Sequence, residues 1–466
     1  MLAAEVDVLI VGGGPVGLTA RALLARWGVR SLLVEKYPKL SPFPRSRLVN
    51  VRSMEIFRAL GIAERVAARA FGAEWGRVRF RDDLLGADFA SEAMVGVAAP
   101  IPQSPAQGVV TSQDRLEPTL LAAADTPVRF GAELVDLVEE SDHVLAVLVE
   151  GGVEKRVRAR YVLGADGANS TTRELVGIGK TGPGTLGRQT MVVFDADLDH
   201  LRAEPAGVYF TKTGGFAPIY PEGSWFWSMS TPADLSDVDW AGLVADAIGT
   251  DIAVKVERLQ HWVVSAFVAE RFATARVLLA GDAAHAIPPL GGMGMNAGLA
   301  DAHNLCWKLA GVLRGWAGPG LLTSYEAERQ PVARATLAQA ATNMRILREA
   351  QQARRDGAVA VPWSDKYFDQ LDQVLGYRYE SAAVLSDGGR LPHAWLSDGR
   401  STLDAVGEWF TLFTPDPRPW SGTWPVRVVA LAGDTVLVRP DGHVAQRWRS
   451  RPTDEVLQAA LSAVSS

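Results

Sequence analysis

The chain has 466 residues, 48% of them hydrophobic and 21% charged, which is typical of a globular protein with two or three domains. Its 47 basic and 53 acidic side chains give a net charge of −6, so it lacks the basic surface that nucleic acid requires, and no stretch reaches the roughly 20 apolar residues of a membrane-spanning helix. The single cysteine, Cys306, excludes an internal disulfide and a cysteine-rich metal site and suits the reducing cytoplasm, where we expect the protein.

The first 35 residues predict a β-α-β unit. Val6–Val11 is an almost continuous apolar run, typical of a parallel strand buried on both faces. Glycines end the run, and Pro15 can open a helix because its missing N–H would be unpaired there in any case. Arg30–Val34 predicts a second buried strand.

Three glycines with the spacing Gly12-x-Gly14-x-x-Gly17 lie between this strand and this helix. Gly12 permits the tight turn, Gly14 lets a pyrophosphate approach the backbone, and Gly17 lets helix and strand pack closely. The helix N-terminus supplies N–H groups and partial positive charge for phosphates. Glu35, at the end of the second strand, is placed to accept hydrogen bonds from ribose hydroxyls. The motif predicts a bound dinucleotide and leaves NAD and FAD open.

Further along the chain, helices are expected around Val51–Leu60 and from about Asp114 to Ala124, with strands between residues 128 and 163. Between about residues 171 and 270, alternating strands rich in aromatic residues predict a β-rich insertion packed on the first domain. A long helix is expected to begin near Asn296.

A second glycine-rich segment runs from the predicted strand Val277–Leu279 into the long helix. Asp282 ends the strand, where a carboxylate suits the ribityl chain of a flavin. The backbone amides of Met295 and Asn296, at the start of the helix, can donate to the flavin O2 region and stabilise the negative charge that forms on reduction. This segment favours FAD. Asp166 also follows a strand, but Asp-Gly alone equally indicates a plain turn.

The three motifs in this order resemble the single-component FAD-dependent aromatic hydroxylases, the family with the para-hydroxybenzoate hydroxylase fold. The resemblance runs from residue 5 to about 340 and includes the segment Asp301–Leu309. It implies that Arg45 contacts the flavin diphosphate or ring edge, a role that Arg47 could share, and that Gln113 hydrogen-bonds FAD. It also implies that the Asp166 segment touches both FAD and a transiently bound nicotinamide cofactor, and that His285 is structural.

The predicted FAD site draws on the motifs and on the resemblance. Its residues are Gly12, Gly14, Pro15, Val16, Gly17, Glu35, Lys36, Arg45, Gln113, Asp166, Asp282, Pro289, Gly294, Met295 and Asn296. No residue is identifiable as a catalytic base. The candidates for the substrate pocket are Tyr220, His261 and Trp227, all in the β-rich insertion, and each of them has packing or surface exposure as its alternative role.

The predicted fold is α/β, with a Rossmann-like FAD-binding domain, a β-rich substrate domain and a small C-terminal thioredoxin-like domain. The FAD-binding domain is expected to comprise residues 1–76, 105–170 and 271–345, the substrate domain residues 77–104 and 171–270, and a helical or irregular linker residues 346–385. Hydroxylases of aromatic polyketides and substituted phenols offer the closest resemblance. It implies that residues 386–466 are thioredoxin-like without Cys-x-x-Cys, with Gly389–Leu396 as first strand and Leu437–Ala445 as late hairpin.

The resemblance implies a monooxygenase that hydroxylates a phenolic or polycyclic aromatic substrate of the polyketide type, as in antibiotic biosynthesis. NADH or NADPH would reduce FAD, O2 would add at flavin C4a, and the distal oxygen of the hydroperoxide would pass to an electron-rich ring. Two alternatives stay open: a Baeyer–Villiger or epoxidising enzyme on the same scaffold, and a non-catalytic accessory protein that binds FAD and a metabolite. The sequence also leaves open the substrate, the choice of NADH or NADPH, and a homodimer.

Overall fold

The computed structural model describes residues 4–357, 370–420 and 426–466. The helices are α1 (Pro15–Arg26), α2 (Val51–Ala59), α3 (Ala63–Ala67), α4 (Gln113–Leu121), α5 (Thr171–Leu175), α6 (Trp240–Ile248), α7 (Met293–Leu313), α8 (Thr323–Arg355), α9 (Leu371–Val374) and α10 (Asp454–Val464). The strands are β1 (Ala4–Val11), β2 (Ser31–Glu35), β3 (Leu48–Val49), β4 (Arg77–Phe80), β5 (Ala90–Ala93), β6 (Val109–Val110), β7 (Val128–Phe130), β8 (Ala132–Glu139), β9 (Val144–Glu150), β10 (Val153–Gly164), β11 (Lys180–Asp195), β12 (Val208–Phe210), β13 (Gly215–Tyr220), β14 (Gly223–Ser230), β15 (Lys255–Ala269), β16 (Val277–Leu279), β17 (His285–Ala286), β18 (Thr411–Thr414), β19 (Arg427–Ala430), β20 (Thr435–Val438) and β21 (Val444–Trp448).

The first sheet has the order β7-β2-β1-β10-β9-β8, with β16 paired to the end of β10. Its centre is parallel, because β1 pairs in the same direction with β2 and β10. Val8, Leu9 and Ile10 of β1 have no exposed surface, which explains why this strand is apolar at successive positions and not only at alternate ones. The order β1-α1-β2 and the parallel pairing of the two strands confirm the predicted β-α-β unit. Both faces of the sheet are covered by other parts of the chain.

Helices α1, α7 and α8 cover one face of the first sheet. The longest run of buried positions is in α7, where apolar residues such as Leu299, Leu305 and Trp307 share the helix with buried polar residues. The buried polar residues are paired: Asp301 accepts from His285, and Lys308 donates to Glu328. The α7 helix is therefore buried around its circumference, as expected for a central helix.

The second sheet has the order β17-β15-β11-β14-β13-β12-β4-β5 and contains the aromatic-rich strands predicted for the β-rich insertion. Strands β11 and β15 are its longest and pair antiparallel, with three register irregularities. One face of the sheet packs on α6 through the cluster that contains Phe194, Phe216 and Trp227. The other face is turned toward the first domain.

The C-terminal unit contains a sheet of order β19-β18-β20-β21 followed by α10. The predicted late hairpin is confirmed by the antiparallel pair β20–β21. The predicted first strand, Gly389–Leu396, is wrong: this segment forms only isolated bridges, and the first strand of the sheet is β18. Gly389 and Pro392 interrupt the segment, so it cannot continue a ladder of hydrogen bonds. Residues 431–434 form the short connection between β19 and β20. The assignment of this unit as thioredoxin-like stays a prediction.

The predicted linker contains regular structure at its start, because α8 continues to Arg355. The centre of the predicted linker, residues 358–369, lies outside the described residues. From Gln370 onward the chain returns to the body of the protein. There, Tyr379 and Ala383 are buried against the first domain and the C-terminal unit.

Candidate functional site

A cleft of about 1740 Å³ is lined by residues from both large sheets. Its walls include the turn between β1 and α1, the loop before β3, the start of α4, the segment after β10, strands β13 to β15, and the start of α7. Most of the sequence motifs therefore meet in one cavity, although Gly12 and Met295, the first and last motif residues in its lining, are 283 residues apart in the chain.

The turn between β1 and α1 requires glycine at two positions. Gly12 has φ +109°, and a Cβ atom there would lie 2.3 Å from the carbonyl oxygen of Ala165. A Cβ atom on Gly17 would lie 2.0 Å from the carbonyl oxygen of Gly12. Gly14 is different, because a Cβ atom there would meet no atom of the protein within 4 Å. Gly12 and Gly17 are needed for packing, and Gly14 keeps the cleft open beside the helix.

The N-terminus of α1 is open to the cleft. The helix begins at Pro15 after the N-cap Gly14, and the first intrahelical bond runs from Leu18 N–H to Gly14 O at 3.0 Å. The amides of Val16 and Gly17 therefore have no intrahelical acceptor. Glu35 lies beside this turn and accepts from the Gly13 N–H at 2.7 Å. The turn thus combines free N–H groups with one fixed carboxylate.

Asp282 lies between β16 and α7 and is exposed to the cleft. Because protein surrounds the cleft, desolvation raises the pKa of Asp282, while the charges of His285 and Arg45 act in the opposite direction. A Cβ atom placed on Gly294 would lie 3.9 Å from Asp282 Oδ1, so this carboxylate is close to the first turn of α7. His285 itself is fully buried and paired with Asp301, which supports a structural role for it.

Helix α7 begins at Met293, three residues before the predicted start. Gly291 and Gly292 have φ +96° and +63°, and these left-handed conformations end the loop at that point. The amides without an intrahelical acceptor are consequently those of Met293, Gly294 and Met295. Asn296 instead uses its side chain, whose Oδ1 accepts from the Asn50 N–H at 2.9 Å, and so connects α7 to the start of α2.

Asp166 lies five residues before the short helix α5 and hydrogen-bonds its first turn. Its Oδ1 accepts from Ser170 Oγ at 2.6 Å, and its Oδ2 accepts from the Thr172 N–H at 2.9 Å. Arg173, which ends this motif, donates to the carbonyl oxygens of Ala283 and Ala168. The segment lines the cleft and is tied to the Asp282 segment by a buried arginine, an interaction that a plain turn would not need.

Gln113 and Glu117 lie on the side of α4 that faces the cleft. Gln113 Nε2 donates to Glu117 Oε1 at 2.8 Å, and Arg45, on the neighbouring loop, is exposed to the same cleft. Burial raises the pKa of Glu117 from 4.5 to about 7. The sequence motifs do not single out Glu117, because neither its burial nor its distance from the cleft can be read from spacing along the chain.

Replacing Glu117 by glutamine is expected to change how stability depends on pH. In the folded apoprotein the carboxyl group keeps its proton up to about pH 7, whereas in the unfolded chain it ionises near 4.5. The free energy of unfolding should therefore fall as pH rises through this window, by about 1–3 kcal/mol from this group alone. Urea unfolding of the apoprotein at pH 5 and pH 8 measures the fall, which should be smaller in Glu117→Gln. An equal fall in both proteins would contradict the assignment.

The three substrate-pocket candidates occupy different environments. Only His261 lines the cleft, and its Nδ1 lies 2.8 Å from Thr190 Oγ1. The hydroxyl of Tyr220 donates to Asp114 Oδ2 at 2.6 Å, outside the cleft lining. Trp227 is buried in the core and stacks on Phe216 with 5.7 Å between ring centroids. The neighbouring residue on β14, Phe226, faces the cleft in its place.

The predicted FAD-site residues are largely brought together. Those that line the cleft are Gly12, Gly14, Pro15, Val16, Glu35, Lys36, Arg45, Gln113, Asp166, Asp282, Pro289, Gly294 and Met295. Gly17 and Asn296 lie directly behind this lining, where they hold α1 and α7 in place. The arrangement fits FAD, because two open helix N-termini and an accessible carboxylate face one cavity.

A family model described as an FAD binding domain matches residues 5–340. The chain belongs to this FAD-binding family. Tetracenomycin B2 monooxygenase-dioxygenase from Streptomyces olivaceus is 33% identical to it, covering 99% of this chain and 98% of the relative. Aklavinone 12-hydroxylase RdmE from Streptomyces purpurascens is 37% identical, covering 95% of this chain and 92% of the relative. A solved ternary complex of aklavinone-11 hydroxylase with FAD and aklavinone is 33% identical with a TM-score of 0.86, covering 100% of both chains.

These similarities confirm the predicted family, the α/β fold of the FAD-dependent monooxygenases, and FAD as the cofactor. The protein is an FAD-dependent monooxygenase of the aromatic-hydroxylase type that acts on a small molecule. Neither the accessory-protein alternative nor the Baeyer–Villiger alternative is favoured by the relatives. In the described parts of the chain, no helix combines the length and hydropathy needed to cross a membrane.

Proposed function

We propose that this flavoenzyme hydroxylates a phenolic or polycyclic aromatic compound of the polyketide type, with O2 and NADH or NADPH as co-substrates. The observation that carries the proposal is the two-part character of the cleft. One part has the helix N-termini and Asp282, and the other has apolar side chains such as Phe226, Phe210 and Met344. A planar, apolar substrate fits the second part, while the polar tail of a flavin fits the first.

The same cofactor-site residues that the motifs predict are proposed to hold FAD. The amides at the start of α1 and the side chain of Arg45 suit the diphosphate, and Glu35 suits a ribose. Asp282 suits the ribityl chain, and the amides at the start of α7 are placed to stabilise negative charge on the ring. The remaining proposed contacts come from the Gln113, Lys36, Pro289 and Asp166 segments.

Bound FAD supplies electron transfer from the nicotinamide cofactor and activation of O2. The chain itself contributes binding, orientation and exclusion of water, for which the apolar lining of the second part of the cleft is suited. No side chain in the cleft is assigned as a catalytic base. A cytoplasmic location agrees with the single buried cysteine, Cys306, and it stays a prediction, as does a homodimer.

Among the substrate-pocket candidates, only His261 lines the cleft, and we propose that it contacts the substrate, although its ring also packs against Trp240 of α6 with 5.9 Å between ring centroids. Replacing His261 with glutamine is expected to raise KM for an aromatic substrate about 3- to 10-fold, because one polar contact of a net strength near 1 kcal/mol is lost. The variant Tyr220→Phe is the matched control, since its hydroxyl already binds Asp114. Steady-state kinetics on both variants checks this, and equal effects would remove His261 from the pocket.

Oxygen insertion is the direct test of the proposed function. The FAD-loaded enzyme is incubated with NADH or NADPH, catalase and a panel of phenolic compounds that includes 1-naphthol and alizarin. We expect at least one compound to accelerate consumption of NAD(P)H and O2 and to gain one oxygen atom by mass spectrometry, with the label arriving from ¹⁸O2. A ring-expanded lactone, with oxygen inserted beside a ring carbonyl, would indicate a Baeyer–Villiger reaction. No acceleration by any compound would contradict the hydroxylase proposal and favour an accessory role.

A further inference from the structure

Arg47 is a buried arginine in the wall of the cleft. It directly precedes β3, and only 9% of its surface is exposed. Its Nη1 donates to the carbonyl oxygen of Gly207 at 2.7 Å, and Gly207 directly precedes β12 of the second sheet. The guanidinium group therefore lies at the junction between the first domain and the substrate domain.

This guanidinium group is incompletely paired. Its Nε and Nη2 atoms are buried and have no hydrogen-bond partner. Among the described residues, no acidic side chain forms an ion pair with Arg47, whereas the buried arginines Arg329 and Arg439 are each paired with a carboxylate. A buried charge without a counter-ion is costly, so such groups are normally paired or face a ligand.

Two aromatic rings hold Arg47 in this position. The guanidinium carbon lies 5.5 Å from the ring centroid of Phe71 and 5.4 Å from that of Phe226. Cation–π contacts of this kind stabilise a cation but do not neutralise it. Burial consequently lowers the pKa of Arg47 to about 9. An anion placed beside the guanidinium group would offset this cost.

We propose that Arg47 binds the anionic oxygen of the aromatic substrate, so that the enzyme takes hydroxyarenes as their phenolates. This inference rests on the proposed function and narrows its substrate class. The two unpartnered N–H groups of Arg47 are the donors that a phenolate oxygen needs, and Phe226 offers a ring face for the attached aromatic system. A phenolate is also the more electron-rich form of the ring that is to be hydroxylated.

The second role considered for Arg47, a contact with FAD, is less well supported by its neighbours. The α1 N-terminus and Arg45 are already proposed to bind the diphosphate, whereas Arg47 donates to Gly207, directly before β12, and packs against Phe226 of β14. Both β12 and β14 belong to the second sheet. The two roles differ in which ligand should lose affinity when the guanidinium group is removed.

The test is the ionisation of a bound phenol in the FAD-loaded enzyme without NAD(P)H. Alizarin is the probe, because ionisation shifts its absorption to wavelengths beyond the flavin bands. In the wild-type enzyme and in Arg47→Lys, the pKa of bound alizarin should lie at least about one unit below that of free alizarin. In Arg47→Met the pKa of bound alizarin should return to the value of free alizarin, and alizarin should bind about tenfold more weakly. The affinity of the Arg47→Met apoprotein for FAD should stay within about twofold of the wild-type value.

Arg348→Met is the matched control, because Arg348 also lines the cleft but is exposed. It should leave the pKa of bound alizarin unchanged, and an equal loss in both variants would assign the effect to the general field of the cleft and overturn the proposal. The proposal is also overturned if Arg47→Met weakens FAD instead of alizarin, or if the wild-type enzyme does not bind alizarin. Because the measurement needs no turnover, it stays separate from the oxygen-insertion test.

Discussion

Replacing Gly17 with alanine is expected to abolish FAD binding and to lower the free energy of unfolding of the apoprotein by about 1–3 kcal/mol. The new Cβ atom would lie 2.0 Å from the carbonyl oxygen of Gly12, so α1 has to move away from β1. Such a movement displaces the open helix N-terminus from the cleft. The purified variant should therefore lack the flavin absorption of the wild-type protein, and urea unfolding of both apoproteins should measure the loss of stability.

Gly14→Ala is the matched control for this prediction. A Cβ atom on Gly14 meets nothing within 4 Å, so the free energy of unfolding of the apoprotein should change by less than about 0.5 kcal/mol. The same methyl group extends into the cleft beside the α1 amides, and FAD should bind at least about tenfold more weakly. If Gly14→Ala bound FAD normally, the diphosphate would not pass over this turn. If Gly17→Ala were as stable as the wild type, the close contact with Gly12 would not exist in solution.

The variant Arg439→Met should lower the free energy of unfolding by about 3–5 kcal/mol at pH 7. Arg439 is fully buried, and its Nη1 and Nη2 donate to the two carboxylate oxygens of Glu328 at 2.5 and 2.8 Å. Its Nη2 also donates to Asp441. The substitution leaves both buried carboxylates without this cation. The pair also joins α8 to the C-terminal unit, so chemical denaturation should show the loss in one transition.

The same cluster predicts a loss of stability in acid. Burial alone would raise the pKa of Glu328, but the neighbouring cations Arg439 and Lys308 outweigh it and lower the pKa from 4.5 to about 2. A carboxyl group whose pKa is lower in the folded protein than in the unfolded chain stabilises the fold above the unfolded pKa. This contribution should therefore be lost as pH falls from about 4.5 to 2.

The matched control for Arg439→Met is the surface variant Arg345→Met, which removes an exposed pair with Glu349. It should change the free energy of unfolding by less than about 1 kcal/mol. If Arg439→Met and Arg345→Met lost comparable amounts of stability, burial would not be the reason for the large effect at Arg439.

The cofactor end of the fold was predictable from sequence because its constraints act on the backbone. At Gly12 and Gly17 a neighbouring carbonyl oxygen lies so close that a Cβ atom has no room, and glycine is the one residue type without a Cβ atom. Asp282 was predictable for a related reason, since its position at a strand end before glycines is visible as spacing. The start of α7 was not, because the two positive φ angles at Gly291 and Gly292 end the loop before the residues that sequence reasoning chose.

The substrate end was harder to predict. On β14, Phe226 faces the cleft while Trp225 and Trp227 are buried on the opposite face of the strand. Alternation along a strand separates two faces, but it does not tell which face is the cleft when both carry aromatic residues. Arg47 was visible only as a neighbour of Arg45, since burial and missing partners are properties of the folded chain.

Strands β11 and β15 connect the two large layers more firmly than loops would. The end of β15 belongs to the core under the first sheet, where Ala266, Val268 and Ala269 are buried. The rest of the strand belongs to the second sheet through its long pairing with β11. Rotating one layer against the other would pull these residues out of a packed core. The packed core therefore opposes such a rotation, and the two layers that form the cleft keep a fixed separation.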